Sequence, residues 1–234
     1  MILIRYVACD KEGIMSLAKK SVLTIFLVLV ADQVFKIWVK THMVIGQEIP
    51  VFDHWFLLHF IENNGMAFGM ELAGKTGKII LSLFRIIALV AIGWYIRYLI
   101  RHKAPSGLVV AVSLVFAGAL GNIIDSAFYG LIFDDSYFHV ARLFPKDGGY
   151  ASFLHGRVVD MLYFPLIKST FPHWVPFWGG QEFIFFRPVF NLSDSSITVG
   201  VAIILLFYRK FFKQNDPAQI EDNGLNGDKE ELKS

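Results

Sequence analysis

The chain has 234 residues, 55% of them hydrophobic and 18% charged, with a mean hydropathy of +0.51. Soluble domains carry about 25% charged residues, so the balance points to a membrane protein, and a net charge of +2 without a dense basic and aromatic run argues against nucleic acid as a partner. The single cysteine, Cys9, leaves no intrachain disulfide and no cysteine-based metal site.

A span needs about 20 mainly apolar residues. The first apolar body, "SVLTIFLVLV", predicts a span at about 21–39. No small-x-small cleavage signal precedes Asp32, and the pattern runs on through "VFKIWVK", so this reads as a retained helix rather than a removed leader. Met15 is an alternative start to Met1. The loop that follows, "EIPVFDHWFLLHFIENNG", mixes aromatic and β-branched residues before a turn and predicts one or two short strands. Further spans are expected at about 79–100, 107–125 and 195–212. Between the last two lies "FPLIKSTFPHWVPFWGGQEFIFFRP", whose Phe, Trp and Pro suit either the outer membrane interface or a small folded outer subdomain.

Four helices threaded in order bring Lys19 and Lys20, then Arg97, Arg101 and Lys103, then Arg209, Lys210 and Lys213 to one side. Basic residues mark the cytoplasmic side, so both termini are expected there, with loops 40–78 and 126–194 outward. The expected organisation is one polytopic membrane domain over 1–213 and a disordered polar tail over 214–234.

Polar residues recur near the outward ends of these spans. Asp32 and Lys36 stand four apart on one helical face, as an interfacial ion pair or part of a site. Asn63, Asn64 and Gly65 alone make an ordinary turn. In "AGALGNIID", Gly118, Asn122 and Asp125 share a face lined by small residues, so the polar pair projects into a helix contact rather than toward lipid. Asp160 lies in "HGRVVDMLYF", an apolar setting for a carboxylate. Asn191 and Asp194 open the fourth span and would serve singly as caps.

Together these residues suggest one constellation. Two close carboxyl groups do not both ionise cheaply, so one keeps a proton while the other draws a proton from water, which is the aspartic-protease arrangement. It requires no metal or cofactor. There is no His-Glu-x-x-His or Gly-x-Ser-x-Gly motif, and histidines 54, 59, 139, 155 and 173 are scattered. The residues by themselves leave open whether Asp125 or Asp160 partners Asp194.

The ordered motifs "DQVFK", "NNGMAFG", "GALGNIID", "GRVVDM" and "FNLSD", running from about Asp32 to Tyr208, resemble lipoprotein signal peptidase (signal peptidase II). The resemblance implies a four-helix, all-α membrane fold with a small outward-facing β-cradle, here with an enlarged aromatic-rich outer loop. It implies a bacterial inner-membrane aspartic endopeptidase, monomeric and lipid-embedded. Such an enzyme removes signal peptides from diacylglyceryl-modified prolipoproteins, cutting before the lipidated cysteine. It makes Asp160 and Asp194 the catalytic pair, with Asp32, Asn63, Gly65, Asn122, Asp125 and Asn191 supporting the pair or holding substrate.

Ser126 departs from the family pattern, which has arginine after the third-helix aspartate; Arg157 or Arg142 is expected to supply that charge. Segments 127–155 and 165–189 are longer than usual, and Ser193 stands where alanine is common. The rival readings are an inactive adaptor of the same fold and an ion-coupled transporter.

Overall fold

The computed structural model describes residues 2–53, 55–64, 74–185, 188–207, 209 and 211. Gly65, His54 and the tail from 212 lie outside the described residues. Helix α1 (Ile2–His42) is uninterrupted and extends beyond the expected 21–39 at both ends. No glycine or proline falls between Ile14 and His42 to stop it. Helix α2 (Gly74–Arg101) is followed, after a turn holding Pro105, by α3 (Ser106–Ile124). A π-helical turn over Asp125–Tyr129 and the short α4 (Gly130–Ile132) prolong α3. The last helix, α5, spans Leu192–Leu206.

Among the described residues, three helices are long and apolar enough to cross a bilayer: Met15–His42, Gly77–Arg101 and Ser106–Ile132. Helix α5 is apolar but has 15 residues, about 22 Å at 1.5 Å per residue, short of a hydrocarbon core of about 30 Å. The outward faces are apolar. Val22, Phe26 and Leu27 on α1, with Phe84, Ile87 and Val90 on α2, are all more than half exposed. A continuous surface of this kind belongs against lipid.

The sheet grows from the loop strands. β1 (Glu48–Phe52) and β2 (Phe56–Asn63) form the expected hairpin, and β3 (Val158–Tyr163) pairs antiparallel with β2, setting Ile61 opposite Asp160. The short β6 (Val189–Phe190) completes a four-stranded antiparallel sheet, ordered β1-β2-β3-β6. Between β3 and β6 the chain forms a separate hairpin, β4 (Ile167–Thr170) with β5 (Glu182–Phe185), and exposes Trp174 and Phe177. The sheet packs on the end of α1 through Val39, Met43, Phe60, Val159 and Met161. At the opposite end, Ile96, Leu99, Leu108, Val109 and Phe211 form a second core.

Segment 133–157 is held to the sheet by buried charge. Lys40 pairs with Glu62 and donates to the Ser136 hydroxyl at 2.7 Å, while Arg157 pairs with the other Glu62 oxygen at 2.9 Å. Both cations lie 5.0 Å from the centre of the Tyr150 ring.

Helices α3 and α5 meet through glycines. A Cβ on Gly118 would press into the Ser193 carbonyl and come within 2.7 Å of Ile197 Cγ1; one on Gly200 would lie 2.6 Å from the Ala111 carbonyl. Gly118→Ala therefore forces the helices apart. It should cost about 1–3 kcal/mol, read as a lower Tm of the purified protein in detergent. Gly13→Ala, with nothing within 4 Å, should leave the Tm unchanged or raise it.

Candidate active site

Helices α1, α2, α3 and α5 deliver polar groups to the sheet end of the bundle. Lys36 is the innermost, with its side chain fully buried. Its ammonium donates to Asp32 Oδ2 at 2.9 Å, Asp125 Oδ2 at 2.7 Å and Asn122 Oδ1 at 3.0 Å. An ammonium has three donors, and all three are used. The i,i+4 pair read from the sequence is thus the base of the site rather than a snorkelling surface pair. Gln33 Nε2 bridges the same two carboxylates, at 3.1 Å to Asp32 Oδ2 and 2.9 Å to Asp125 Oδ1.

Asn122 carries this arrangement upward. Because Lys36 can only donate, Asn122 must turn its oxygen to the ammonium, and its amide NH2 then faces Asp194 Oδ1 at 2.8 Å. Asp194 also belongs to a reciprocal cap at the start of α5. Asn191 Oδ1 accepts from the Asp194 backbone N–H at 2.9 Å, and Asp194 Oδ2 accepts from the Asn191 N–H at 3.3 Å. The capping reading is therefore right about geometry, and the cap is also part of the site. The Ser193 N–H donates to Asp32 Oδ1 at 2.9 Å, tying the start of α5 to α1.

Asp160, 3% exposed on β3, completes the arrangement. Asn191 Nδ2 donates to its Oδ1 at 2.7 Å and Asn63 Nδ2 to its Oδ2 at 3.4 Å. Asn191 thus touches both carboxyl groups. Burial, followed by the charge of Asp194, pushes the Asp160 carboxyl up to about 7. Asp125 lies one layer deeper, held by Lys36, Gln33 and the Val159 N–H at 3.4 Å. Of the two candidates left open by the sequence, Asp160 is the one that shares Asn191 with Asp194.

The structure therefore brings together Asp32, Lys36, Asn63, Asn122, Asp125, Asp160, Asn191 and Asp194. Gly65 lies outside the described residues. The arginines expected to stand in for Ser126 are turned elsewhere: Arg157 to Glu62, with Tyr137 and Tyr150 beneath it, and the exposed Arg142 to Asp134 at 2.7 Å. Each already has its own carboxylate, closer in sequence or across the sheet. Ser126 itself is buried and donates to the Asn122 carbonyl at 3.1 Å.

The family described as signal peptidase (SPase) II matches residues 24–210, which contain every one of these groups. The chain belongs to the signal peptidase II family. A lipoprotein signal peptidase of Porphyromonas gingivalis is 53% identical over 185 residues, covering 79% of this chain and 80% of the relative. One from Amoebophilus asiaticus is 38% identical over 191 residues, covering 80% and 77%. A solved bacterial membrane enzyme, determined by the in meso method at 2.3 Å, is 27% identical. It superposes with a TM-score of 0.53 over 85% of this chain and 93% of its own.

In and around this candidate site of the signal peptidase II chain, sequence reasoning missed Gln33, Lys40, Glu62 and Lys78. Lys78 Nζ donates to Asn64 Oδ1 at 3.2 Å and the His155 carbonyl at 2.9 Å, fastening the start of α2 to two loops. Gln33 was within reach, since it adjoins Asp32 in "DQVFK".

The peptidase also buries one hydroxyl without a partner among the described residues, Ser193 Oγ, between α3 and α5. A buried unpaired polar atom costs about 1–3 kcal/mol. Ser193→Ala should accordingly raise the Tm in detergent while leaving cleavage near wild type; a fall in Tm would show that the hydroxyl is satisfied.

Proposed function

We propose that the protein is an aspartic endopeptidase of the bacterial inner membrane, cutting prolipoproteins just before the diacylglyceryl-modified cysteine. The observation that carries this reading is the pair Asp160 and Asp194, one buried and one half-buried, joined through Asn191. Asp194 has N–H donors from Asn122 and Asn191 and lies in the first turn of α5, where the helix's partial positive charge favours an anion. Asp160 retains a proton.

In this mechanism Asp194 takes a proton from water, and the water oxygen bonds to the scissile carbonyl carbon. Asp160 hydrogen-bonds the carbonyl oxygen as it gains charge. The tetrahedral intermediate collapses by breaking the C–N bond, with a proton passing to the leaving nitrogen. General acid–base steps of this kind contribute about 10²–10⁴-fold. Asn63 and Asn191 fix Asp160, and Asn122 fixes Asp194, so both carboxyls are oriented before substrate arrives. Asp32, Lys36 and Asp125 support them from below, as positioning residues.

The fold supports the rest of the reading. Helix α5 would serve as the fourth span, continued past Phe207 by helical backbone at 209 and 211. Arg97, Arg101 and Lys103 lie at the end of the bundle away from the site, which supports a cytoplasmic position for that end and an outer-face position for the dyad. Every group in the site comes from one chain, so a monomer suffices. The carboxylates gather at one end of the bundle rather than at mid-span, which disfavours an ion-coupled transporter.

The test is cleavage of a diacylglyceryl-modified prolipoprotein by the purified protein in detergent. Asp160→Asn and Asp194→Asn should each lose about 10²-fold or more while remaining folded, since asparagine mimics a neutral carboxyl. Retained cleavage in either would remove that residue from the chemistry.

The pH dependence follows from Asp160. Below about 7 its carboxyl holds the proton that the reaction needs; as pH rises through that value the proton leaves and both aspartates are charged. kcat/KM should therefore fall on the alkaline side with an apparent midpoint near 7. A rate flat to pH 9 would mean that Asp160 does not serve as the acid.

A further inference from the structure

Helix α2 is the element whose contribution to the site is least obvious from sequence, because its span reads as an apolar run in which Arg85 stands apart from the basic cluster of Arg97, Arg101 and Lys103 at its far end. Its lipid face is marked by Ile80, Leu83, Phe84 and Ile87, all at least half exposed. The opposite face carries Lys78, which reaches the outer loops, Ser82, which is buried, and Gly93, where a Cβ would lie 3.2 Å from the Phe116 ring of α3. Arg85 follows Ser82 by three and Lys78 by seven, so it shares this inward face. Its half-buried guanidinium acts electrostatically on Asp194 and on Asp160.

The charges around it explain why a cation is wanted. Lys36 is already held between Asp32 and Asp125. Asp32 and Asp125 share that one ammonium, and the carboxyl groups of Asp160 and Asp194 lie beside them, joined through Asn191 and Asn122, in a region largely out of water. Arg142 is occupied by Asp134 and Arg157 by Glu62. Ser126 brings no charge.

We propose that Arg85 is a positioning residue of the dyad: from α2 it supplies a positive charge beside the carboxyl groups of Asp194 and Asp160. The inference rests on the reading of Asp160 and Asp194 as the catalytic pair. Among the described residues, the charged groups near that pair are Asp32 and Lys36 from α1 and Arg85 from α2, with the two aspartates on β3 and α5 and Asp125 below them on the π-helical turn.

The experiment is the pH profile of kcat/KM for wild type, Arg85→Gln and Arg85→Lys, with Asp160→Asn and Asp194→Asn alongside and thermal unfolding as a check of folding. An opposite charge nearby lowers a carboxyl pKa by about 1–3. Arg85→Gln should therefore move the acid limb up by about one pH unit and reduce kcat more than it changes KM. Arg85→Lys should restore the wild-type limb. An unmoved acid limb in folded Arg85→Gln, or a lysine variant no better than glutamine, overturns the proposal.

Should Arg85→Gln not fold, Arg85→His carries the same test. Its activity relative to wild type should fall as pH rises and the imidazole loses its charge, and a constant ratio overturns the proposal. If both asparagine variants still cleave, the dyad reading fails and Arg85's role fails with it. If both are dead while the Arg85 profiles match wild type, only the inference about Arg85 is lost.

Discussion

A buried ammonium governs the arrangement of this site. Lys36 donates to a carboxylate on its own helix, to a carboxylate on the π-helical turn after α3, and to the Asn122 side chain on α3 itself. With no donor to spare and no acceptor of its own, it dictates that Asn122 presents nitrogen to Asp194. The orientation of the Asp194 carboxyl is thus set two residues away, by a charge it does not touch. Removing one partner from a buried charge pair typically costs about 3–5 kcal/mol, which makes the cluster intolerant of piecemeal change.

Backbone geometry makes the cluster possible. A Cβ on Gly121 would come within 2.8 Å of Asp32 Oδ2, so only glycine lets α1 and α5 approach α3 this closely. The π-helical turn at Asp125–Tyr129 then interrupts regular helical bonding just where Asp125 must face inward. The loop repairs the interruption: the Gly156 N–H donates to the Ser126 carbonyl at 2.8 Å and the Ala151 N–H to the Gly130 carbonyl at 2.9 Å. Gly156 packs against the Asp125 carbonyl, where a side chain would collide. The long segment after α3 is therefore part of the site's support.

Helical spacing made much of this legible beforehand. Asp32 with Lys36, and Asn122 with Asp125, declare their shared faces by offsets of four and three, and glycines beside them declare a close contact. Pairing across the sheet was not legible. β3 is buried at all six positions, so it lacks the alternation that marks a strand, and the residues alone could not choose between Asp125 and Asp160. Lys40 and Glu62 meet only because α1 ends against β2, a contact without a local signature. Arg85 was hidden by its surroundings, since one arginine in a long apolar run reads as an imperfection of the span. The fourth helix also proved shorter in its regular part than its apolar composition suggested.

The register between β3 and β6 has a consequence for how such enzymes diversify. Tyr163 stands opposite Val189, so the chain departs from the sheet and returns to it at adjacent points, one on the strand of Asp160 and the other leading into the helix of Asp194. Whatever lies between them closes on itself, as the β4–β5 hairpin does here. Closing a longer loop costs little more than closing a short one, about 0.6 kcal/mol per doubling. Residues 165–188 are accordingly open to lengthening, trimming or replacement, while Phe164 stays packed on the sheet and Asp160 and Asp194 stay joined through Asn191.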